Sequence, residues 1–311
     1  MKWLLLSIVV AVCAVVAQDT ATFSTSVKVV NVFATVRDKH GELIRDLGQN
    51  DFTLTEDSVP QTIRYFTRES DLPLTVGLLV DTSMSQEHVI ADERRAAFHF
   101  LDRVIRRRDD RVFVTQFDLA VMPKAELTND FRVLDNALTS LDTPSREDLR
   151  MQTGGGTLLY DAVIESCNKI LANQTGRKAA IVLSDGVDEG SDASLQQAID
   201  AAQRSETLVY SILFADPSFY GVGFFGMPEG ARGRAALSKL AHETGGGFFE
   251  VSRHLSIDTV FARIEDELRS EYSLGYVSSV PVKLSGFRKI RLTVAQKGLA
   301  VQARDRYWAK R

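Results

Sequence analysis

Leu74-Thr75-Val76-Gly77-Leu78-Leu79-Val80-Asp81-Thr82-Ser83-Met84-Ser85 is an apolar run that ends in a carboxylate and two alternate hydroxyls. A short apolar run closed by small polar residues reads as a buried strand entering a turn. A second run, Ile181-Val182-Leu183-Ser184-Asp185-Gly186, also ends on a carboxylate, here followed by glycine. Between the two, Gly154-Gly155-Gly156-Thr157 presents a hydroxyl behind a glycine triplet. Two carboxylates and three hydroxyls are hard oxygen donors and suit Mg²⁺. Two negative charges against a divalent cation would leave the ion electrophilic and open to one more anionic ligand. The competing reading of the same residues is a helix cap with two turn aspartates satisfied by backbone amides.

Outward from these runs, strand and helix texture alternate from Leu72 onward. Strands are expected at 74–80, 111–117, 179–184 and 207–214, with shorter ones near 120–127 and 247–251. Helices are expected at 86–106, 130–141, 158–172, 194–204, 231–243 and 257–270. Such alternation implies an α/β, Rossmann-like unit with a mainly parallel sheet and helices on both faces. Ligands of such sheets bind at the carboxyl ends of the strands, where Asp81 and Asp185 both fall.

The flanks differ. Residues 27–36, 51–56 and 61–66 read as strands, with turns at 38–41 and 57–60, and no helix lies among them. Strand texture returns after Tyr272, at 272–277, 288–294 and 300–304. Neither flank has an obvious core of its own. The simplest arrangement joins both into one small antiparallel β-sandwich that carries the α/β unit as an insertion. The alternative is a small N-terminal sandwich with a separate C-terminal hairpin. The expected organisation is a signal peptide at 1–17, an N-terminal β segment at 24–70, an α/β unit at 71–271 and a C-terminal β segment at 272–311.

Asp81, Ser83 and Ser85, then Thr157, then Asp185 resemble the metal-ion-dependent adhesion site of von Willebrand factor type A domains, whose motif is D-x-S-x-S followed by a distant T and a distant D. All five positions match. The resemblance implies a metal role for Asp81, Ser83, Ser85, Thr157 and Asp185, with threonine coordinating when ligand is bound and the second aspartate often acting through water. It implies Mg²⁺ (or Mn²⁺ or Ca²⁺), with the shell completed by a partner's carboxylate. Met84 stands where glycine is frequent in such loops and could rim the site. The phrases Val36-Arg37-Asp38-Lys39-His40-Gly41, Asp51-Phe52-Thr53-Leu54-Thr55-Glu56-Asp57, Pro73 to Ser83 and Phe287-Arg288-Lys289-Ile290 further resemble exported VWFA-related proteins of Acidobacteria. The secondary calcium-type site of integrin β subunits would need two more acidic residues soon after Ser85, where Gln86-Glu87-His88 stands, so no second metal of that kind is expected.

The remaining sequence bounds the function. At 311 residues, 44% apolar and 25% charged, the chain is of ordinary globular composition and long enough for two domains. Its net charge of −4 and the lack of a basic stripe argue against nucleic acid as a partner. Lys2, the apolar stretch Trp3 to Val16 and the small residues before Gln18 read as an export leader cleaved after Ala17; an uncleaved anchor is the second choice. The chain is therefore expected to be periplasmic or secreted, and at a membrane only if the leader is kept or lipidated at Cys13. With the leader gone Cys167 alone remains, in helical surroundings, and reads as a buried inert thiol. No G-x-S-x-G, P-loop or C-x-x-C is present. Asp188, Glu189 and Asp192 read as a solvated loop. The aromatic and glycine-rich segment 217–228, with Phe219, Tyr220, Phe224 and Phe225, is a candidate ligand rim. The expected function is a non-enzymatic adhesion or scaffold module that binds a protein or peptide through Asp or Glu. A metal-dependent hydrolase is the runner-up, and a scaffold whose metal only stabilises the fold is a third reading.

Overall fold

The computed structural model describes residues 29–68, 72–145, 156–215, 228–282 and 284–310. The leader, Gly154, Gly155, the boundary residue 71 and the rim candidates Phe219, Tyr220, Phe224 and Phe225 lie outside the described residues.

The α/β unit is built on a six-stranded sheet. Its strands are β5 (Leu74–Asp81), β6 (Arg111–Phe117), β7 (Val121–Thr128), β8 (Arg177–Ser184), β9 (Leu208–Leu213) and β10 (Phe248–Glu250). They lie in the order β10-β9-β8-β5-β6-β7, all parallel except β7, which runs antiparallel to β6. Every residue of β5, β8 and β9 is buried, which is what a continuous apolar run becomes when helices cover both faces. Period-2 alternation then divides the core. Val76, Leu78 and Val80, with Ile181 and Leu183, face α1 (Ile90–Val104), α2 (Phe131–Thr139) and α6 (Ile257–Arg269). Leu79, Ala180 and Val182 face α3 (Leu159–Glu165), α4 (Leu195–Arg204) and α5 (Pro228–Thr244).

Two expected helices are shorter than their apolar pattern. The stretch after Ser83 forms a 3₁₀ turn at Met84–Gln86, and α1 begins at Ile90. α3 passes into a π-turn at Ser166–Ile170 and a 3₁₀ turn at Leu171–Asn173. Cys167 lies in that π-turn, fully buried, and burial raises its thiol pKa to about 11, consistent with an inert core thiol.

The flanks pair with each other. β1 (Val29–Arg37) lies between β11 (Tyr272–Val277) and β13 (Ala300–Ala303), and β4 (Ile63–Arg68) pairs with β11. In the second sheet β12 (Gly286–Val294) lies between β2 (Phe52–Glu56) and β14 (Arg306–Ala309), while β3 (Val59–Gln61) pairs with β2. The expected turn at 57–60 is tighter: Asp57 and Ser58, both with positive φ, make it alone, and Val59 already pairs with Glu56. One core joins the two four-stranded sheets, with Val32, Val36, Phe52 and Leu54 from one flank and Tyr272, Leu274, Ile290 and Tyr307 from the other. A separate C-terminal hairpin is therefore excluded.

The chain enters and leaves the α/β unit at one place. Arg177, buried at the amino end of β8, donates to the carbonyls of both Leu72 and Leu268. The sandwich thus meets the amino edge of the parallel sheet. We propose that 71–271 folds alone whereas 24–70 does not, because β1 takes both of its partners, and β2 one of its two, from beyond residue 271. A cooperative melt of 24–70 by itself would overturn this.

Candidate metal centre

The sheet order places Asp81 and Asp185 together. β5 and β8 are the first and fourth strands of the α/β unit and lie side by side at the centre. Chain connections depart to opposite sides there, and such a switch point opens a crevice at the carboxyl ends. Val80 is in register with Leu183, so Asp81 comes beside Ser184, and Asp185 follows at once.

Four of the five candidate side chains join in a chain of hydrogen bonds. The amide and hydroxyl of Ser83 donate to Asp81 Oδ1 at 3.0 and 2.6 Å. Ser83 Oγ lies 3.0 Å from Ser85 Oγ. The Ser85 hydroxyl donates to Asp185 Oδ2 at 2.7 Å. The fifth, Thr157, arrives by its backbone. It bridges Glu189, just past Asp185, through Glu189 N donating to Thr157 O at 3.0 Å. Its neighbour Leu158 donates to the carbonyl of Asp118, whose carboxylate accepts from Thr82 Oγ1 at 2.6 Å. Thr157 is nearly buried, but the hydrogen bonds of the other four do not include its hydroxyl. Met84 is half-buried in the turn between the two serines.

Hydrogen counting tests whether these residues suit a cation. Ser83 and Ser85 each carry one hydroxyl hydrogen, and each has a carboxylate to give it to. Their mutual 3.0 Å contact then has no hydrogen left to fill it. Asp81 and Asp185 are both essentially inaccessible to solvent. Burial, followed by the charge of Asp185, raises the Asp81 pKa above the ordinary carboxylate value, against the lowering effect of bonds from Ser184 and Ser83. The centre gathers oxygen lone pairs, leaves the Ser83–Ser85 contact without a hydrogen and sets its two acids against each other. A hard cation relieves all three conditions. Among the described residues no group of three or more His, Cys, Asp or Glu is placed to hold a metal, so any ion here would rest on hydroxyls as well as on the two acids.

The bland reading accounts for part of this geometry. Asp81 Oδ1 accepts from the amide two residues on, and Asp185 Oδ1 accepts from Val187 N at 2.9 Å, which are Asx turns. Neither serine caps α1, however: the cap position before it is Val89, and no side chain caps the helix there. The second oxygen of each acid faces a serine hydroxyl, with Ser184 donating to Asp81 Oδ2 at 2.6 Å.

Several supporting residues were not singled out from the sequence. Ser184 follows from the β5–β8 register once that register is known. Gln86, fully buried, donates to Asp185 Oδ2 at 3.2 Å. Asp118 ties the Thr82 turn to the Thr157 segment. The loop past Asp185 is less free than its composition suggests: Asp188 is half-buried and accepts from Tyr160 N and Ser191 Oγ. Burial is the main cause of its raised pKa.

Glycine brings α5 onto this centre. Gly186 has φ +82°, and a Cβ on Gly233 of α5 would lie 2.5 Å from the Asp185 carbonyl oxygen. Only two residues without side chains let that helix pack directly on the backbone that carries Asp185.

No family model matches this sequence, and a search of curated proteins finds no match. Solved structures do resemble it. BatB from Bacteroides thetaiotaomicron is 16% identical over 63% of this chain and 97% of that one, at a TM-score of 0.48. The vWF domain of the type V pili tip protein Mfa5 from Porphyromonas gingivalis is 14% identical over 63% and 94%, at 0.46. The pilus adhesin SpaC from Lactobacillus rhamnosus GG is 10% identical over 84% of this chain and 47% of its own length, at 0.48. The six strands of the α/β unit are ordered 3-2-1-4-5-6, all parallel except the antiparallel edge strand 3, a Rossmann-like arrangement. No helix of the described residues is long and apolar enough to cross a membrane.

Proposed function

We propose that this chain is an exported binding protein that holds an acidic side chain of a protein or peptide partner through a divalent cation, Mg²⁺ by first choice. The observation that carries the reading is the hydrogen shortage among Asp81, Ser83, Ser85 and Asp185. Asp81, Ser83, Ser85, Thr157 and Asp185 would hold the ion, which supplies positive charge and a coordination position for the partner's carboxylate. The overall charge is −4, so attraction for an acidic group comes from the ion rather than from a basic surface. Position in the fold supports the same reading. The centre lies at the carboxyl edge of the sheet, and the sandwich is attached at the other edge.

Thr157 is held by a two-residue bridge and not by a strand or helix. Thr157→Ala should therefore weaken partner binding by about 1–3 kcal/mol, the size of a charge-assisted contact, with little loss of stability. The test is capture of an envelope protein by the immobilised chain, with and without EDTA, and with the Thr157→Ala variant. Capture sensitive to both supports the reading. Capture that survives both moves recognition away from this centre.

A further inference from the structure

Gln86 touches both loops of the candidate centre and leaves half of its own side-chain amide unused. It ends the 3₁₀ turn at Met84–Gln86, where its backbone amide donates to the Ser83 carbonyl at 2.8 Å. Its side chain is fully buried, and its Nε2 donates to Asp185 Oδ2 at 3.2 Å and to Ser85 Oγ at 3.4 Å. Both hydrogens of that nitrogen are thereby spent. The other half of the amide, Oε1, has no partner among the described residues. Turning the amide over would not help, because Oε1 would then face the Asp185 carboxylate, acceptor against acceptor. A buried polar atom without a partner is costly, and native structures keep few of them. An apolar side chain would fill the same space without that cost, so the glutamine needs a use.

We propose that Gln86 is a positioning residue of this centre: its Nε2 fixes the Asp185 carboxylate, and its Oε1 accepts a hydrogen from water that a bound cation carries. The proposal rests on the metal reading above. Gln86 belongs to the loop of Asp81, Ser83 and Ser85, yet its side chain holds the acid 99 residues further on. One side chain therefore ties the first carboxylate's loop to the second carboxylate. Mg²⁺ gives up water reluctantly and usually keeps several molecules of it. A hydrated ion thus brings the hydrogen that no described residue supplies to Oε1. Partners that orient a metal's ligands typically contribute about 10–100-fold in affinity. Gln86 acts here through Asp185 and through water, with no direct contact to the ion implied.

The test is calorimetric titration of the mature chain and of its Gln86→Met variant with MnCl₂. It is joined by the melting temperature of each in EDTA and by water-proton relaxation of each with Mn²⁺ bound. Methionine keeps the length of the side chain and removes both polar ends. Gln86→Met should bind Mn²⁺ at least about ten-fold more weakly. Its melting temperature in EDTA should stay close to the native one, because the bonds lost are long and the orphaned oxygen is lost with them. Water on the bound Mn²⁺ should exchange faster in the variant, which lacks the acceptor. A merely structural Gln86 predicts the reverse pattern, with stability lost and affinity kept, and that result overturns the proposal. Equal Mn²⁺ affinity and equal water exchange in the two chains overturn it too while leaving the metal reading intact. Should Gln86→Met fail to fold, the native chain still decides. Relaxation should show water in the shell of its bound Mn²⁺, and a shell without water leaves Oε1 no donor and overturns the proposal. Absence of Mn²⁺ binding by the native chain overturns both readings.

Discussion

Arg288→Ala should lower the unfolding free energy of the sandwich by about 3–5 kcal/mol, the range for removing one partner of a buried ion pair. Arg288 on β12 pairs with Glu56 at the end of β2. Glu56 has no solvent exposure. Its carboxylate also accepts from Tyr276 at 2.8 Å, Ser278 at 2.7 Å and Tyr307 at 3.1 Å. Three of these four partners enter from strands of both sheets, so the charge is held where the sheets meet. Alanine at 288 would leave a buried carboxylate with hydroxyl partners only. Replacing both residues together, as Glu56→Met with Arg288→Met, should recover only part of the loss: no charge stays buried alone, but the hydroxyls of Tyr276, Ser278 and Tyr307 lose their acceptor. The pH dependence has a definite sign. Burial raises the Glu56 pKa, but the bonds from Ser278, Tyr276, Arg288 and Tyr307 outweigh it and leave the group below its ordinary value. A lowered folded-state pKa contributes stability above the unfolded-state value, and that contribution is lost as pH falls through the acid range. Urea titrations at neutral and acid pH check both points. An Arg288→Ala chain as stable as the native one would show the pair to be idle.

The architecture was legible because its strongest elements are locally encoded. β5, β8 and β9 are buried on both faces, so each is a plain apolar run, and the helices between them carry their own amphipathic period. The sandwich was readable only by elimination, from two flanks without a core. Its pairings, such as Val32 with Leu274 and Leu54 with Leu292, join residues too far apart for any local pattern to record. β14 was missed because Arg306-Tyr307-Trp308-Ala309 follows charged residues and opens on an arginine. The strand docks on α4: Arg306 pairs with Asp200, and the Trp308 ring lies under the Arg204 guanidinium at 3.7 Å. At the candidate centre, the five motif positions could be named because their order is a motif. Ser184 and Gln86 could not. Ser184 acts through the register between two strands, and Gln86 through its burial in the 3₁₀ turn, where it donates to Asp185. Helix onset illustrates the same limit. The helix expected from residue 86 begins only at Ile90, after a 3₁₀ turn at Met84–Gln86, and Ser83 before that turn and Ser85 within it reach Asp81 and Asp185.

Asp81→Ala should abolish any response of the chain to Mg²⁺. A ligand that binds only the folded state at a hundred times its dissociation constant adds about 2.7 kcal/mol, or a rise of roughly 5–10 °C in melting temperature for a unit of this size. Asp81 is the natural residue to remove. It is wholly buried at the end of β5, and both of its oxygens are already engaged by Ser83 and Ser184. The variant therefore removes charge from the centre without disturbing an exposed surface. Alanine also leaves two hydroxyls without their acceptor, so its metal-free stability confounds the comparison. Asp81→Asn separates the effects, because it keeps an acceptor oxygen and the side-chain shape while halving the centre's formal charge. Both variants should lose the Mg²⁺-induced shift, and the asparagine form should keep a metal-free melting temperature close to that of the native chain. The turn-aspartate reading predicts something different. If Asp81 only closes its Asx turn through the Ser83 amide, millimolar Mg²⁺ will leave the native melting temperature where it was, and calorimetry with Mg²⁺ or Mn²⁺ will show no heat of binding. That result would remove the metal from this fold and, with it, the reason to look for an acidic partner.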